Sequence, residues 1–241
     1  MTVVDGPYAI ADRHFADADG LLAALVDDIA GQLRRAVSER GTALMAVSGG
    51  SSPKRLFEHL AQVELPWSQV TVTQVDERWL PVDHPDSNAR LIRKHLLRDA
   101  AAAAHFLPLK NAADTPESGQ AACEAQLRAL ALPFDLVLLG MGEDGHTASL
   151  FPHAPELDLA LRNDGPLCAA VQAPRPPQAP HPRMSLTLAG LTASRRILLP
   201  LQGDAKLAVL REAQQAGALE DMPIRALLRQ ARVPLEIWTS P

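Results

Sequence analysis

The run from Phe134 to Pro152, FDLVLLGMGEDGHTASLFP, constrains the fold more than any other part of the chain. Residues Asp135 to Leu139 read as a fully buried strand and pass directly into three glycines, two carboxylates and a histidine. An apolar run of that length ended by glycine fits a parallel strand covered on both faces. In an open α/β sheet, ligands bind at the carboxyl ends of such strands. His146 is thereby expected where chemistry is done.

Gly140, Gly142 and Gly145 satisfy G-x-G-x-x-G, so a dinucleotide fingerprint has to be weighed first. That motif needs a long helix after its third glycine, with N-terminal amides facing a pyrophosphate. Here Pro152 and Pro155 interrupt the pattern soon afterwards, and Glu143 and Asp144 put negative charge where the pyrophosphate would lie. A tight strand-exit turn explains the glycines better. It leaves the cluster of Glu, Asp and His to be accounted for.

Strands alternate with helical patterns along the chain, which argues for an α/β fold with a doubly wound, mostly parallel sheet. Leu21, Leu22, Leu25, Ile29, Leu33 and Val37 recur at helical spacing, predicting an amphipathic helix over Gly20 to Arg40 that stops at Gly41. Ala43 to Val47 reads as a short buried strand. It delivers the chain into Ser48-Gly49-Gly50-Ser51-Ser52-Pro53, after which a helix over Lys54 to Gln62 is expected, with Ser52 as N-cap and Pro53 at the first helical position. Such a loop can be a phosphate cradle, because amides and hydroxyls converge without bulky side chains between them. An ordinary capped βα turn accounts for the same residues equally well. The Walker A pattern is absent, so a cradle here would suit a sugar phosphate rather than a nucleoside triphosphate.

Val70 to Val75 predicts a further strand, ending in Asp76-Glu77-Arg78-Trp79. These charges are either a second group at a strand end or a local surface ion pair of little energetic weight. Asp86-Ser87-Asn88 is expected to cap a helix running to about Leu97. Phe106 to Leu109 reads as a short strand, and Thr115 to Leu130 as a helix opened by Thr115 and Pro116. Leu167 to Val171 is a further strand. The proline-rich Ala173 to Arg183 reads as an extended surface connection, with Arg183-Met184-Ser185-Leu186-Thr187 following from it. A strand at Arg196 to Leu201, a helix over Asp204 to Ala216 with Lys206 in its first turn, and a last strand at Leu235 to Thr239 complete the pattern.

With 241 residues, 47% of them hydrophobic, and no long Gly/Ser linker, the chain is expected to form a single α/β domain over residues 1–241. Its net charge of −5, from 23 basic and 28 acidic residues interspersed, provides no basic stripe for nucleic acid and no polybasic membrane patch. A small-molecule substrate is the expected partner. Cys123 and Cys168 lack the C-x-x-C spacing of a redox pair or zinc knuckle. The opening MTVVDGPYAIADRH has no basic segment followed by an apolar core, and nowhere do about 18 apolar residues run uninterrupted. A cytoplasmic protein is expected.

Serine hydrolase chemistry lacks its G-x-S-x-G elbow, and metal hydrolysis lacks H-E-x-x-H. What remains is general acid/base catalysis. A histidine can take a proton from water near neutral pH, Asp144 is placed to orient the ring, and Arg78 to stabilise an oxyanion.

The blocks AVSGGSSPKRLFEHL, VDERWLPVDHPDSNARL, FDLVLLGMGEDGHTASLFP, PRMSLTLAGL and GDAKLAVL, in that order, closely resemble the 6-phosphogluconolactonase family. The resemblance spans nearly the whole chain. It implies a cytoplasmic enzyme of the pentose phosphate pathway that opens a phosphorylated sugar lactone without metal or cofactor. It also implies a Rossmann-like fold shared with glucosamine-6-phosphate deaminase and ribose-5-phosphate isomerase. By the same resemblance His146 is the base, supported by Asp144, and Arg78 steadies the carbonyl oxygen. Ser48, Gly49, Gly50, Ser51, Ser52, Arg183 and Lys206 would hold the phosphate, while Asp76, Glu77, Asn88, Gly142 and Glu143 are further substrate-site candidates. Ala89 departs from the pattern, since an aromatic residue is common there. A monomer or small homo-oligomer is expected.

Two other functions compete. A deaminase of the same fold resembles G-H-I-A-F-N-E-P in the corresponding loop; here Phe151 stands at the glutamate position, and Arg78 replaces the tyrosine of D-E-Y. A non-catalytic sugar-phosphate sensor would need a DNA-binding module, and no helix-turn-helix or basic segment precedes residue 43.

Overall fold

The computed structural model describes residues 10–172 and 180–241. Most of the expected proline-rich connection, and the first nine residues used to judge export, lie outside the described residues.

Burial alternation along the strands builds the fold. In β2 (Ala43–Val47), Ala43, Met45 and Val47 enter one apolar core while Leu44 and Ala46 enter another. In β6 (Leu136–Leu138) and the residue after it, Leu136 and Leu138 join the first core and Val137 and Leu139 the second. Successive side chains point to opposite faces, so the two cores are the two covered faces of one sheet. The sheet is seven-stranded, in the order β1-β10-β9-β6-β2-β3-β5. The remaining strands are β1 (Ala11–His14), β3 (Val70–Gln74), β5 (His105–Leu107), β9 (Ile197–Gln202) and β10 (Leu235–Ser240). Every pairing within it is parallel.

From β2 the chain steps outward to β3 and β5, then returns to lay β6 on the other side of β2 before continuing to β9 and β10. The direction of winding therefore reverses between β2 and β6. Loops leaving the two strands diverge there and open a crevice at their carboxyl ends.

Helix α1 (Ala18–Arg40) covers one face, burying Leu21, Leu22, Leu25, Ile29 and Leu33. Asp17 caps it by accepting the Gly20 amide at 2.7 Å, and Gly41 ends it in the left-handed conformation, φ 77°. Helices α2 (Lys54–Leu60) and α3 (Asn88–His95) pack on the same side. Helix α4 (Pro116–Arg128) opens with Thr115 and Ser118 in a reciprocal capping box. The other face also receives α5 (Leu157–Ala160), α6 (Leu188–Thr192), α7 (Asp204–Ala213) and α8 (Ile224–Arg229).

A second sheet departs from the expected pattern. Its order is β4-β8-β7, formed by β4 (Asp76–Arg78), β8 (Arg183–Leu186) and β7 (Cys168–Val171), and its pairings are antiparallel. Asp76, Glu77 and Arg78 are thus a separate strand rather than the tail of β3. The Leu167 to Val171 strand belongs here, not to the main sheet. Edge strand β1 escaped the sequence reading because its four residues, ADRH, are all exposed and carry no apolar alternation.

Candidate active site

The crevice between β2 and β6 is a cavity of about 350 Å³. Ser48 continues β2 by donating its amide to Leu138 O, and its hydroxyl accepts the Gly140 amide at 3.0 Å. That pair locks the two strand-exit loops together. The next glycine packs so closely that a Cβ on Gly49 would lie 1.9 Å from Asn88 Oδ1, and Gly50 has φ 90°. Both positions need glycine. Ser52 does not cap α2. Pro53 is the capping residue, without a side-chain hydrogen bond, and the turn is closed by Lys54 N donating to Ser51 O at 3.4 Å. The chain already turns helically at Pro53, φ −81° and ψ −3°, so Ser52 lies one residue too early. Ser48 to Pro53 line the crevice.

The loop after β6 is held by its own backbone. Gly142 N donates to His146 O at 2.8 Å, and Gly145 N to Gly142 O at 3.2 Å. Gly145 has φ 77°, and a Cβ there would strike Met222. Thr147 Oγ1 donates to Gly140 O at 2.8 Å, closing the loop's base. No long helix follows the glycines; Thr147 and Leu150 form a bridge, and the four-residue α5 comes later. The loop places His146 at the crevice. Its Nδ1 lies 2.5 Å from Asp144 Oδ1, and its ring packs on Phe151 with centroids 4.5 Å apart. The Asp144 contact engages Nδ1 and leaves Nε2 as the ring atom for chemistry in the crevice.

Strands β4 and β8 supply the cationic wall. Arg78 and Arg183 are register partners and both line the crevice. The Arg78 Nη1 donates to Asp86 O at 2.7 Å, while its Nε is buried without a hydrogen-bond partner among the described residues. Among the described residues no ion pair joins its guanidinium to Asp76 or Glu77, and Asp76 is instead set against Arg183, which rules out the surface-pair reading of this cluster. Arg183 is only 7% exposed, and its Nε also has no partner among the described residues. Its nearest carboxylate oxygen is Asp76 Oδ2, at 3.5 Å. Burial lowers the Arg183 pKa, Asp76 opposes that shift, and Arg78 adds to it. Lys206, from the first turn of α7, reaches the same crevice and donates to Met141 O at 2.7 Å.

Two candidates sit elsewhere. Glu77 is buried and accepts from Gln74 Nε2, Ser87 Oγ and the amides of Arg78, Asn88 and Ala89. It fastens the start of α3 to β4 and does not line the crevice. Its burial raises the carboxyl pKa, against the pull of these donors. Ala89, whose amide meets this carboxylate at 2.8 Å, is itself buried. Glu143 lines a separate shallow depression with His153, Glu212 and Asp221. Asp76 and Asn88 do line the crevice, and Asn88 Nδ2 donates to Asp76 O at 2.9 Å.

Some residues of this site were not foreseen. Arg55 and Gln202 border the crevice, and no spacing in the sequence marked them. Ser149, three residues after His146, is fully buried and donates to Asp76 Oδ2 at 2.6 Å. The signal for it was a hydroxyl inside an otherwise apolar stretch. Among the described residues no helix is long and apolar enough to cross a membrane. Cys123 and Cys168 are buried free thiols.

Residues 16–235 match the family described as glucosamine-6-phosphate isomerases/6-phosphogluconolactonase. The chain is 43% identical to a 6-phosphogluconolactonase of Rhizobium meliloti over 96% of its own length and 99% of the relative's. It is 45% identical to one from Pseudomonas aeruginosa, covering 90% and 89% of the two chains. A crystal structure of a 6-phosphogluconolactonase from Shewanella baltica superposes with a TM-score of 0.92 at 40% identity, covering 100% of both chains. A monomeric glucosamine-6-phosphate deaminase shares the fold at a TM-score of 0.79 and 18% identity, over 96% of this chain and 97% of the other. With its family match covering nearly all of the sequence and its doubly wound sheet shared with these relatives, the chain belongs to the glucosamine-6-phosphate isomerase/6-phosphogluconolactonase family.

Proposed function

We propose that the chain hydrolyses 6-phosphogluconolactone to 6-phosphogluconate by general-base activation of water, with no metal or cofactor assigned a part. The observation that carries this reading is the His146–Asp144 pair, 2.5 Å apart, at the rim of a crevice walled by Arg78, Arg183 and Lys206. Its 6-phosphogluconolactonase relatives support the same substrate.

In this mechanism His146 Nε2 takes a proton from water as the water oxygen bonds to the lactone carbonyl carbon. Asp144 holds the ring's tautomer and stabilises the imidazolium that forms. The carbonyl oxygen gains the negative charge, and Arg78, whose guanidinium lines the crevice, stabilises it. When the tetrahedral centre collapses, the bond to the ring oxygen breaks and the imidazolium returns its proton to that oxygen. The product acid then ionises.

Arg183, Lys206 and the loop from Ser48 to Ser52 take the substrate's phosphate, and Asp76, Asn88 and Gly142 shape the wall around it. A single functional unit over residues 1–241, working as a monomer or small homo-oligomer, fits this reading. So does a cytoplasmic place in the oxidative branch of the pentose phosphate pathway.

The deaminase alternative meets a specific obstacle. Phe151, at the position where the deaminase loop carries its glutamate, is buried against the His146 ring. That leaves no carboxylate at this position for acid/base work on an amino sugar. The deciding experiment follows three readouts on purified protein: lactone opening above the spontaneous rate, ammonia release from glucosamine 6-phosphate, and binding without turnover. Lactone opening alone is expected. Ammonia release, or binding without turnover, would overturn the assignment.

A further inference from the structure

Behind the arginine wall lies a buried polar contact that the proposed reaction does not use. Asp76 Oδ2 accepts Ser149 Oγ at 2.6 Å and stands 3.5 Å from Arg183 Nη1, which is also 3.4 Å from Ser149 Oγ. All three side chains are buried. A carboxylate and a guanidinium meeting in such a place normally close to about 2.7–2.9 Å. Here the hydroxyl has the short contact and the ion pair is held long.

The hydroxyl is fixed in that position. Ser149 N donates to Ser185 Oγ at 3.0 Å, and the Ser185 hydroxyl donates in turn to Leu186 O at 2.9 Å. The other Asp76 oxygen is met by Asn88 Nδ2 at 3.3 Å. Asp76 is therefore anchored through both oxygens, while Arg183 lines the crevice with a buried Nε that has no partner among the described residues.

We propose that Ser149 is a positioning residue for phosphate recognition: by occupying Asp76, its hydroxyl keeps Arg183 incompletely paired and open to an anion in the crevice. This deepens the sugar-phosphate reading of the crevice and rests on it. Without the hydroxyl, Asp76 Oδ2 loses its closest donor in a poorly solvated place, and the nearest replacement is Arg183 Nη1. The tightened pair then competes with the incoming phosphate.

The test measures inorganic phosphate binding by calorimetry, together with lactone kinetics, on wild type, Ser149→Ala and Ser149→Ala/Asp76→Asn. Ser149→Ala should weaken phosphate binding on the order of tenfold, the scale of one hydrogen bond to a charged group. It should raise KM for the phosphorylated lactone more than it lowers kcat, and lose less on unphosphorylated gluconolactone. Adding Asp76→Asn removes the competing charge and should recover most of the lost phosphate affinity. Equal losses on both lactones, a lowered melting temperature and no recovery in the double variant would make Ser149 merely structural and overturn the proposal. If Ser149→Ala does not fold, Ser149→Cys, with its weak S–H donor, should bind phosphate more weakly than wild type; wild-type affinity there overturns the proposal too. Wild-type protein that binds phosphate yet opens no lactone would reject the enzymatic reading, and the phosphate measurements would still decide the part played by Ser149.

Discussion

Arg78 and Arg183 are register partners on the antiparallel strands β4 and β8. Directly opposed side chains share a face of the sheet, and like charges so placed destabilise it. Both guanidinium groups also keep a buried Nε without a partner. An anion bound between them would offset their mutual repulsion. Inorganic phosphate should therefore raise the melting temperature of the wild type in a concentration-dependent way, and the rise should shrink sharply in Arg183→Met. Equal rises in the two proteins would place the anion elsewhere.

The contact between His146 and Asp144 makes two unequal demands. His146→Ala removes the base and should reduce kcat by about 10²–10⁴-fold after spontaneous hydrolysis is subtracted. Asp144→Asn keeps the ring and removes only the charge that orients and stabilises it, so its loss should be smaller. Phosphate binding should survive in both. A His146→Ala enzyme with near wild-type turnover would exclude this histidine from the mechanism.

Gly142 tests whether placement alone matters. A Cβ there would lie 2.1 Å from His146 Nδ1 and 2.7 Å from Asp144 Oδ1, so a single methyl must displace the ring or break the pair. Displacement of a reacting group by about 1 Å can cost on the order of 10²-fold in rate. Gly142→Ala is expected to lose at least that much kcat, and to lose far more kcat than phosphate affinity. Normal turnover in a folded Gly142→Ala protein would show that the loop tolerates other His146 positions.

Glu77 gives a pH-dependent signature. Burial raises its pKa above the ordinary 4.5, while the Asn88, Ala89 and Arg78 amides and the Gln74 side chain work against the shift. The folded protein then holds this proton more tightly than the unfolded chain. The stability it contributes is full below 4.5 and is lost as pH rises through the folded value. Gln cannot ionise, but its one carbonyl cannot serve all these donors, so Glu77→Gln should be less stable throughout. The gap between the two melting temperatures should narrow as pH rises from about 4 to about 7. A gap that widens would mean that the hydrogen bonds outweigh burial.

Local pattern carried much of the fold. The apolar stripe of α1, the unbroken burial of β2 and the Thr115–Pro116 opening of α4 are each legible because periodicity, length and capping chemistry lie within one segment. The glycine-rich exits of β2 and β6 were legible for the same reason. What stayed hidden depends on contacts between distant segments. The strands β4 and β8 are three and four residues long, too short for alternation to show, and they exist because DER and RMSL, far apart in sequence, pair with each other. Glu77 looked like a site carboxylate until the donors of α3 closed around it. Arg183 and Lys206 came from resemblance to a family, since one lies after a proline tract and the other in an ordinary first helical turn. Ser149 had no charge to draw notice, and only the distance to Asp76 reveals what it does.

Arg78 separates charge from shape. Its Nη1 is held by Asp86 O, its backbone amide by Glu77 Oε1, and its Nε is buried without a partner. The side chain is thus anchored at one nitrogen while its guanidinium lines the crevice. The oxyanion exists only after water has attacked, so an arginine serving it contributes more to the transition state than to the bound lactone. Arg78→Met, which keeps much of the aliphatic length, should depress kcat more than it raises KM. Arg78→Lys should recover only part of the rate, because one ammonium cannot both bond to Asp86 O and reproduce the planar donor geometry directed at the substrate. A structural role predicts something else: a lowered melting temperature, from loss of the bond to the Asp86 loop, with normal turnover per folded molecule. Melting temperature and kcat measured on the same preparations decide between the two, and a destabilised Arg78→Met enzyme with wild-type kcat would remove Arg78 from oxyanion stabilisation.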